Sequence, residues 1–154
     1  MKIDYKKQGK RNRVAGAKFE KRVREDLESK GWIVSKWQNN VNFTAKIIPI
    51  HPDPKVRDMD KRLKPLGKCV PSKPGRFRMM QTGFPDFIVY REGNNFSPYF
   101  EIQFVECKTN GYLSKEEKEK AKWYLKNNYC SKFLIAKKVK KGRKVVVEYK
   151  EFVY

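Results

Sequence analysis

The sequence predicts a mixed α/β domain in which a small mixed β-sheet is flanked by helices. Two observations favour this class: stretches with helical periodicity alternate with short runs rich in β-branched and aromatic residues, and no internal repeat interrupts them. The predicted order is helix, strand, long basic insertion, strand, strand, helix, strand and a last strand or two, around an α-β-β-β-α-β core. At 154 residues, the chain has the length of one domain, so we expect residues 1–154 to fold as a single domain.

The first helix is predicted over residues 12–30. Phe19, Val23 and Leu27 recur every four residues and form one apolar stripe, and Gly31 is a plausible stop. The preceding residues 1–13 are basic and turn-rich, and we expect a mobile N-terminal arm there.

The first strand and the segment after it differ sharply in composition. The run GWIVSKWQNN, residues 31–40, predicts a strand. Residues 44–83, here called the basic insertion, contain six prolines and ten Lys or Arg against three Asp. Because forty residues exceed an ordinary connection, we expect a functional loop, an insertion or a small subdomain.

The second half of the chain predicts a hairpin, a helix and further strands. PDFIVYRE and SPYFEIQFVECKTN indicate two strands that pair antiparallel through the turn at REGNN. Ser114 is a good N-cap, and Glu117 completes a capping box for a helix that extends to about Asn128. KFLIAKKV and KVVVEYKEFVY, separated by KKGR, predict the last strands.

The net charge of +20 indicates a polyanionic partner, nucleic acid first and an anionic membrane surface second. An aromatic content of 14% argues against a disordered basic tail. No apolar run approaches the roughly 20 residues of a membrane span, and the N-terminus lacks an apolar signal segment. We therefore expect a cytoplasmic protein, not secreted and not bound to a membrane.

Cysteine and histidine usage excludes several kinds of site. Cys69, Cys107 and Cys130 are scattered, and His51 is the only histidine. A zinc site, a disulfide framework and nucleophile–histidine catalysis are therefore not expected.

Three charged residues form the sharpest functional signal. Asp86 opens one strand, whereas Glu106 and Lys108 lie two apart in the next strand and therefore point to one face. The hairpin can bring Asp86 beside Glu106, and two adjacent carboxylates repel each other without a counter-charge. A divalent cation supplies that charge, and oxygen ligands suit Mg²⁺, with Mn²⁺ as a possible substitute.

Beside a polyanion, this trio predicts metal-assisted hydrolysis of a phosphodiester. The metal would neutralise phosphate charge and activate a water, and Lys108 would steady that water or the developing negative charge. Glu20, at the edge of the apolar stripe, is a candidate fourth member that would reach the metal through a bound water.

These motifs carry a family resemblance. GFPD followed by ECK resembles the PD-(D/E)XK nuclease superfamily, in particular the archaeal Holliday junction resolvases and the virus-type replication-repair (VRR-NUC) nucleases. GAKFE in the first helix resembles the resolvase helix that supplies an acidic residue, here Glu20. KTNGYLSKEEKE resembles the VRR-NUC stretch after the catalytic lysine, with Glu117 where that family has Gln. The likeness covers residues 14–38 and 84–136 and leaves out the basic insertion.

The resemblance implies a restriction-endonuclease-like core and Mg²⁺-dependent DNA cleavage, often by a homodimer. It implies that Asp86, Glu106 and the Cys107 backbone carbonyl hold the metal, with Glu20 acting through water. We therefore expect an endonuclease acting on Holliday junctions or other branched DNA, or on double-stranded DNA with little sequence specificity. The archaeal and virus-type relatives named above imply a microbial or virus-infected cell as its setting.

Clustered Lys and Arg predict the DNA-binding surface, because phosphate contacts are independent of base sequence. The expected members are Lys10, Arg11 and Arg13 in the arm and, in the basic insertion, Arg57, Lys61, Arg62, Lys64, Lys68, Lys73, Arg76 and Arg78.

A structural interpretation of the same residues remains open. Glu106 and Lys108 could form a solvent-facing ion pair, Asp86 could simply start a strand, and Glu20 could be one of several surface acids. The chain would then be a non-catalytic DNA- or RNA-binding protein of the same composition.

Overall fold

The computed structural model describes the chain over four stretches, residues 5–43, 67–72, 83–93 and 99–154. The chain divides into two compact units, one of residues 1–37 with 84–154 and one of residues 38–83. In chain order the described elements are α1 (Tyr5–Ser29), β1 (Ile33–Lys36), β2 (Asn39–Asn42), β3 (Lys68–Pro71), β4 (Phe87–Glu92), β5 (Phe100–Lys108), α2 (Lys115–Lys126), β6 (Lys132–Lys141) and β7 (Lys144–Glu151).

The first unit contains a five-stranded sheet in the order β1-β4-β5-β6-β7. β5 and β6 run parallel, and every other neighbouring pair is antiparallel. The prediction of a mixed α/β fold with a small mixed sheet is confirmed, as is the antiparallel hairpin of β4 and β5. Among the described residues, no helix is long and apolar enough to cross a membrane.

Helix α1 begins at Tyr5, seven residues earlier than the sequence pattern indicated. The expectation of a turn-rich arm is therefore wrong for residues 5–13, which are helical. The physical reason is their composition: Lys, Arg and Gln are good helix formers, and no proline interrupts the stretch. The predicted stop is confirmed, because α1 ends at Ser29 and Gly31 adopts a left-handed conformation with φ of +80°.

Helix α2 has the predicted N-terminus. The Ser114 side chain accepts the Glu117 backbone N–H, and the Glu117 carboxylate accepts the Ser114 backbone N–H, which completes the capping box. The helix ends at Lys126, two residues before the predicted position. The two final strands are also confirmed as the β6–β7 pair.

The two helices cover opposite faces of the five-stranded sheet. On one face, the predicted apolar stripe of α1 belongs to the same buried cluster as Val105 of β5. On the other face, Tyr124 of α2 meets Phe104 edge-on, with ring centroids 4.9 Å apart. Phe104 and Val105 are consecutive strand residues and therefore point to opposite faces. Each fully buried side chain of this size stabilises the fold by roughly 1.5–3 kcal/mol.

The described residues of the second unit form a two-stranded antiparallel sheet of β2 and β3, in which Val41 is buried. The prediction of one strand over residues 31–40 is wrong, because β1 ends at Lys36 and β2 starts at Asn39. The break coincides with a change of partner, since β1 pairs with β4 and β2 pairs with β3.

The second unit begins at residue 38, before the expected start of the basic insertion at residue 44. Within that insertion, residues 44–66 and 73–82 lie outside the described residues.

Candidate active site

Asp86 and Glu106 face each other at the start of β4 and near the end of β5. In the register of the hairpin Phe87 pairs with Val105, which places Asp86 opposite Glu106. The Asp86 backbone N–H donates to Glu106 Oε2 at 3.1 Å, and the Cys107 backbone N–H donates to Asp86 Oδ2 at 2.9 Å. These two hydrogen bonds fix both carboxylates beside each other.

Lys108 lies on the same face of β5 as Glu106. Its Nζ is 3.1 Å from Glu106 Oε1 and 2.5 Å from Glu117 Oε1. The other oxygen of Glu117 accepts the Ser114 backbone N–H at 2.7 Å. The capping box of α2 therefore also orients the lysine that contacts the buried carboxylate.

Glu20 reaches this cluster through a lysine rather than directly. Lys36 Nζ lies 2.5 Å from Glu20 Oε2 and 3.4 Å from Asp86 Oδ1. Lys36 is the last residue of β1, where it pairs with Phe87 in the register, and its ammonium lies over the Phe87 ring at 4.8 Å from the centroid. The cation between these two carboxylates is thus an ammonium group.

Burial dominates the electrostatics of Glu106, which is only 7% exposed. Burial, and then the charge of Asp86, raise the pKa of Glu106 to about 8 against the opposing effect of Lys108. For Lys108, burial lowers the pKa, but the hydrogen bond to Glu117 and the charge of Glu106 outweigh it and raise the pKa overall. Burial and the charge of Asp86 therefore outweigh the stabilisation that Lys108 gives to the ionised form of Glu106.

The two carboxylates retain acceptor capacity. Within the described residues, the hydrogen bonds and ion pairs that reach Asp86 and Glu106 assign each of the four oxygens one partner, and a carboxylate oxygen has two acceptor sites. The Cys107 N–H points to Asp86, and the N–H and C=O of a strand residue face the same neighbour. The Cys107 carbonyl is therefore directed to the Asp86 side of β5.

No group of three or more His, Cys, Asp or Glu side chains in the described stretches is arranged to hold a metal ion. The structure brings Asp86 and Glu106 together but turns Glu20 toward Lys36. A hard cation at this position would thus have two side-chain carboxylates and a backbone carbonyl available from the chain.

The predicted DNA-binding residues fall into three groups. Lys10, Arg11 and Arg13 are exposed on the first half of α1, and Lys68 is exposed on β3 of the second unit. The remaining residues lie outside the described part of the chain: Arg57, Lys61, Arg62, Lys64, Lys73, Arg76 and Arg78.

Sequence reasoning missed Lys36. For Glu117 it gave a capping role and the position of the family Gln, but not the contact with Lys108. Nothing in the local pattern distinguishes Lys36 from the other lysines of this basic chain, because its position depends on the pairing of β1 with β4. For Glu117, the capping box was the available signal, since it places the carboxylate at the helix N-terminus, close to the end of β5.

Comparisons with protein-family models, curated proteins and solved structures found no match to this chain. Its function is therefore argued from the chemistry of the site.

Proposed function

We propose that this protein is a Mg²⁺-dependent DNA endonuclease of the PD-(D/E)XK type, with a restriction-endonuclease-like core. The carrying observation is the placement of Asp86 opposite Glu106, with Lys108 on the same face of β5. The element order of the first unit, α1-β1-β4-β5-α2-β6, supports the proposed core, because it follows the predicted α-β-β-β-α-β order.

The residues present fit a divalent cation. Asp86 and Glu106 would hold it through one oxygen each, the Cys107 carbonyl would be a third ligand, and water would complete the shell. The fit rests on the placement of Glu106 beside Asp86. Burial, and then the charge of Asp86, raise the pKa of Glu106, and a bound cation would offset both effects. When bound, the cation would neutralise charge on the scissile phosphate and strengthen a water as nucleophile.

The side chains around the carboxylates have distinct proposed roles. Lys108, held charged between Glu106 and Glu117, would stabilise the negative charge that develops on the phosphate. Glu117 would orient Lys108 and would not touch the substrate. Glu20 and Lys36 form an ion pair at the rim, where a shift of Lys36 would free Glu20 to accept a hydrogen bond from water.

The proposed substrate is branched DNA such as a four-way junction, or duplex DNA cut with little sequence preference. The net charge of +20 supports a polyanionic partner that is bound through its phosphates. A homodimer would present two sites to two strands, as the family resemblance suggests.

The test is cleavage of a four-way junction, a linear duplex and single-stranded DNA in Mg²⁺, in Mn²⁺ and in chelator. We expect cleavage only with metal, and at least a hundredfold slower cleavage by Asp86→Asn and by Glu106→Gln, because each removes a charged ligand. The matched control is Glu101→Gln on the same strand, whose partner is Arg91 at 2.9 Å and which should cleave at the wild-type rate. Metal-independent cleavage, or full activity in both site variants, would refute the proposed site.

One observation favours a second candidate, a nucleic-acid-binding protein without catalytic activity. Lys36 already supplies a positive charge between Glu20 and Asp86, so this part of the cluster is compensated without a metal. This candidate predicts no cleavage of any DNA by the wild-type protein. It also predicts the same DNA affinity for wild type and Asp86→Asn in Mg²⁺ and in chelator.

A further inference from the structure

The first half of α1 is not packed against the sheet. Residues 5–15 are exposed throughout, whereas Phe19, Val23 and Leu27 anchor the second half in the core. Eleven helical residues extend about 16 Å at 1.5 Å per residue. The chain therefore presents an ordered helical arm where the sequence suggested a mobile one.

The arm carries its positive charge on one side. At about 100° per residue, its five cations and Lys18 on the next turn fall within a stripe roughly 160° wide, on the side opposite the anchoring residues. From Tyr5 to Phe19 the helix contains no acidic residue. The members of this cationic stripe are Lys6, Lys7, Lys10, Arg11, Arg13 and Lys18.

The stripe continues onto the β6–β7 hairpin. A cavity of about 200 Å³ lies between α1 and this hairpin, and its charged lining residues are Lys18, Arg22 and Lys138. Ala15, Phe19 and Val145 complete the lining, so the cavity has no carboxylate in its wall. The lining of the cavity is almost entirely apolar, so the three side chains border it with their aliphatic stems. Their charged ends extend the positive surface of the stripe beyond α1.

We propose that the cationic stripe, continued by Lys138 of β6, forms a binding surface for B-form duplex DNA, with the helical arm lying in the major groove. The inference rests on the DNA partner of the proposed function but not on cleavage. The stripe from Lys6 to Lys18 spans about 18 Å, and a helix about 10–12 Å across with its side chains fits a major groove about 12 Å wide. A stripe this broad reaches phosphates on both groove walls, and the deep, narrow major groove of A-form RNA excludes it.

The first experiment measures the salt dependence of duplex DNA binding by fluorescence anisotropy in chelator, where no metal-dependent cleavage occurs. The stripe variant Lys10→Gln/Arg11→Gln/Arg13→Gln should lower the slope of log K against log salt by about 3, since each phosphate contact contributes about 0.9. The matched control removes three exposed lysines of α2, at the same net charge, and should leave the slope unchanged: Lys115→Gln/Lys118→Gln/Lys126→Gln. Equal losses in both variants would overturn the inference.

The second experiment changes the helix without changing its charge. Gly16 lies off the stripe, and a Cβ added there meets nothing within 4 Å. Gly16→Ala should stabilise the arm and tighten DNA binding up to about fivefold, because Ala is favoured over Gly in a helix by about 1 kcal/mol. Gly16→Pro should break the arm and weaken binding at least tenfold. Unchanged affinity in both variants would show that the arm does not bind as a helix.

Two comparisons distinguish the remaining outcomes: binding of duplex DNA against double-stranded RNA, and DNA binding against DNA cleavage. Wild type should bind a duplex of B-form DNA at least tenfold more tightly than double-stranded RNA of the same length, and equal affinity would overturn the groove assignment. Absence of any DNA binding would refute the DNA partner in the proposed function. Binding without cleavage would refute only the nuclease and would leave this inference intact.

Discussion

Tyr124 links helix α2 to the segment that carries Asp86, and its hydroxyl can be removed without changing the packing of the ring. The side chain is fully buried. Its hydroxyl donates to the Phe84 carbonyl at 2.8 Å and accepts the Trp37 indole N–H at 3.2 Å. Because Phe84 lies two residues before Asp86, this hydrogen bond holds the start of β4 in place.

Tyr124→Phe should therefore destabilise the protein and loosen the site. The Phe84 carbonyl would lose its partner while Phe84 remains only 6% exposed, which costs about 2 kcal/mol. For a chain of this length, we expect a fall in Tm of about 4–8 °C. Urea denaturation in chelator measures the free energy of unfolding, and Mn²⁺ titration should show weaker binding, because Asp86 is less firmly positioned.

The matched control is Tyr129→Phe, just beyond the end of α2. Tyr129 is 38% exposed, so its hydroxyl can bond to water, and the substitution should change the unfolding free energy by less than about 0.5 kcal/mol. If the unfolding free energy of Tyr124→Phe also lies within about 0.5 kcal/mol of the wild-type value, the hydrogen bond to Phe84 does not hold the start of β4 in place.

Two further predictions concern the site, and a third concerns the turn after β5. Lys36→Met should tighten Mn²⁺ binding about two- to fivefold in calorimetric titration, because its ammonium competes with the metal for Asp86; weaker or unchanged binding would contradict that competition. Burial, and then the charge of Asp86, raise the pKa of Glu106 from 4.5 to about 8. Between pH 4.5 and 8, the folded state therefore keeps a proton on Glu106 that the unfolded state has lost. In chelator, the stability of wild type relative to Glu106→Gln should fall as pH rises from 4.5 to 8, as measured by urea denaturation, and a pH-independent difference would argue against the shift. Gly111→Ala should cost about 1–3 kcal/mol in the same assay, because Gly111 has φ of +76° and a Cβ would lie 3.0 Å from Lys137 Cβ; wild-type stability would exclude this strain.

Much of the fold follows from local sequence signals. The four-residue spacing of Phe19, Val23 and Leu27 correctly indicated the buried face of α1, and the capping box at Ser114 correctly placed the start of α2. The start of α1 was harder to predict from the sequence, because the exposed first half of this helix has no apolar periodicity. The break between β1 and β2 was missed because local pattern carries no information on which strand becomes the partner.

The candidate site also has one part that the sequence predicts and one part that it does not. The side-by-side placement of Asp86 and Glu106 could be predicted, because both sit on strands joined by one short connection, whose pairing follows from alternation. The contact of Lys36 with Glu20 and Asp86 joins three separate elements and depends on the sheet order. Such long-range contacts have no local signature, so sequence reasoning supplied the acids and missed the lysine between them.

The most direct test of a shared cation at Asp86 and Glu106 is anomalous diffraction from crystals of the wild-type protein soaked in Mn²⁺. We predict one peak within coordination distance of both Asp86 and Glu106, and no peak there in crystals of Asp86→Asn. A peak bound elsewhere, or no peak at this position with Lys36 still in contact with Asp86, would contradict the claim that the two carboxylates share one cation.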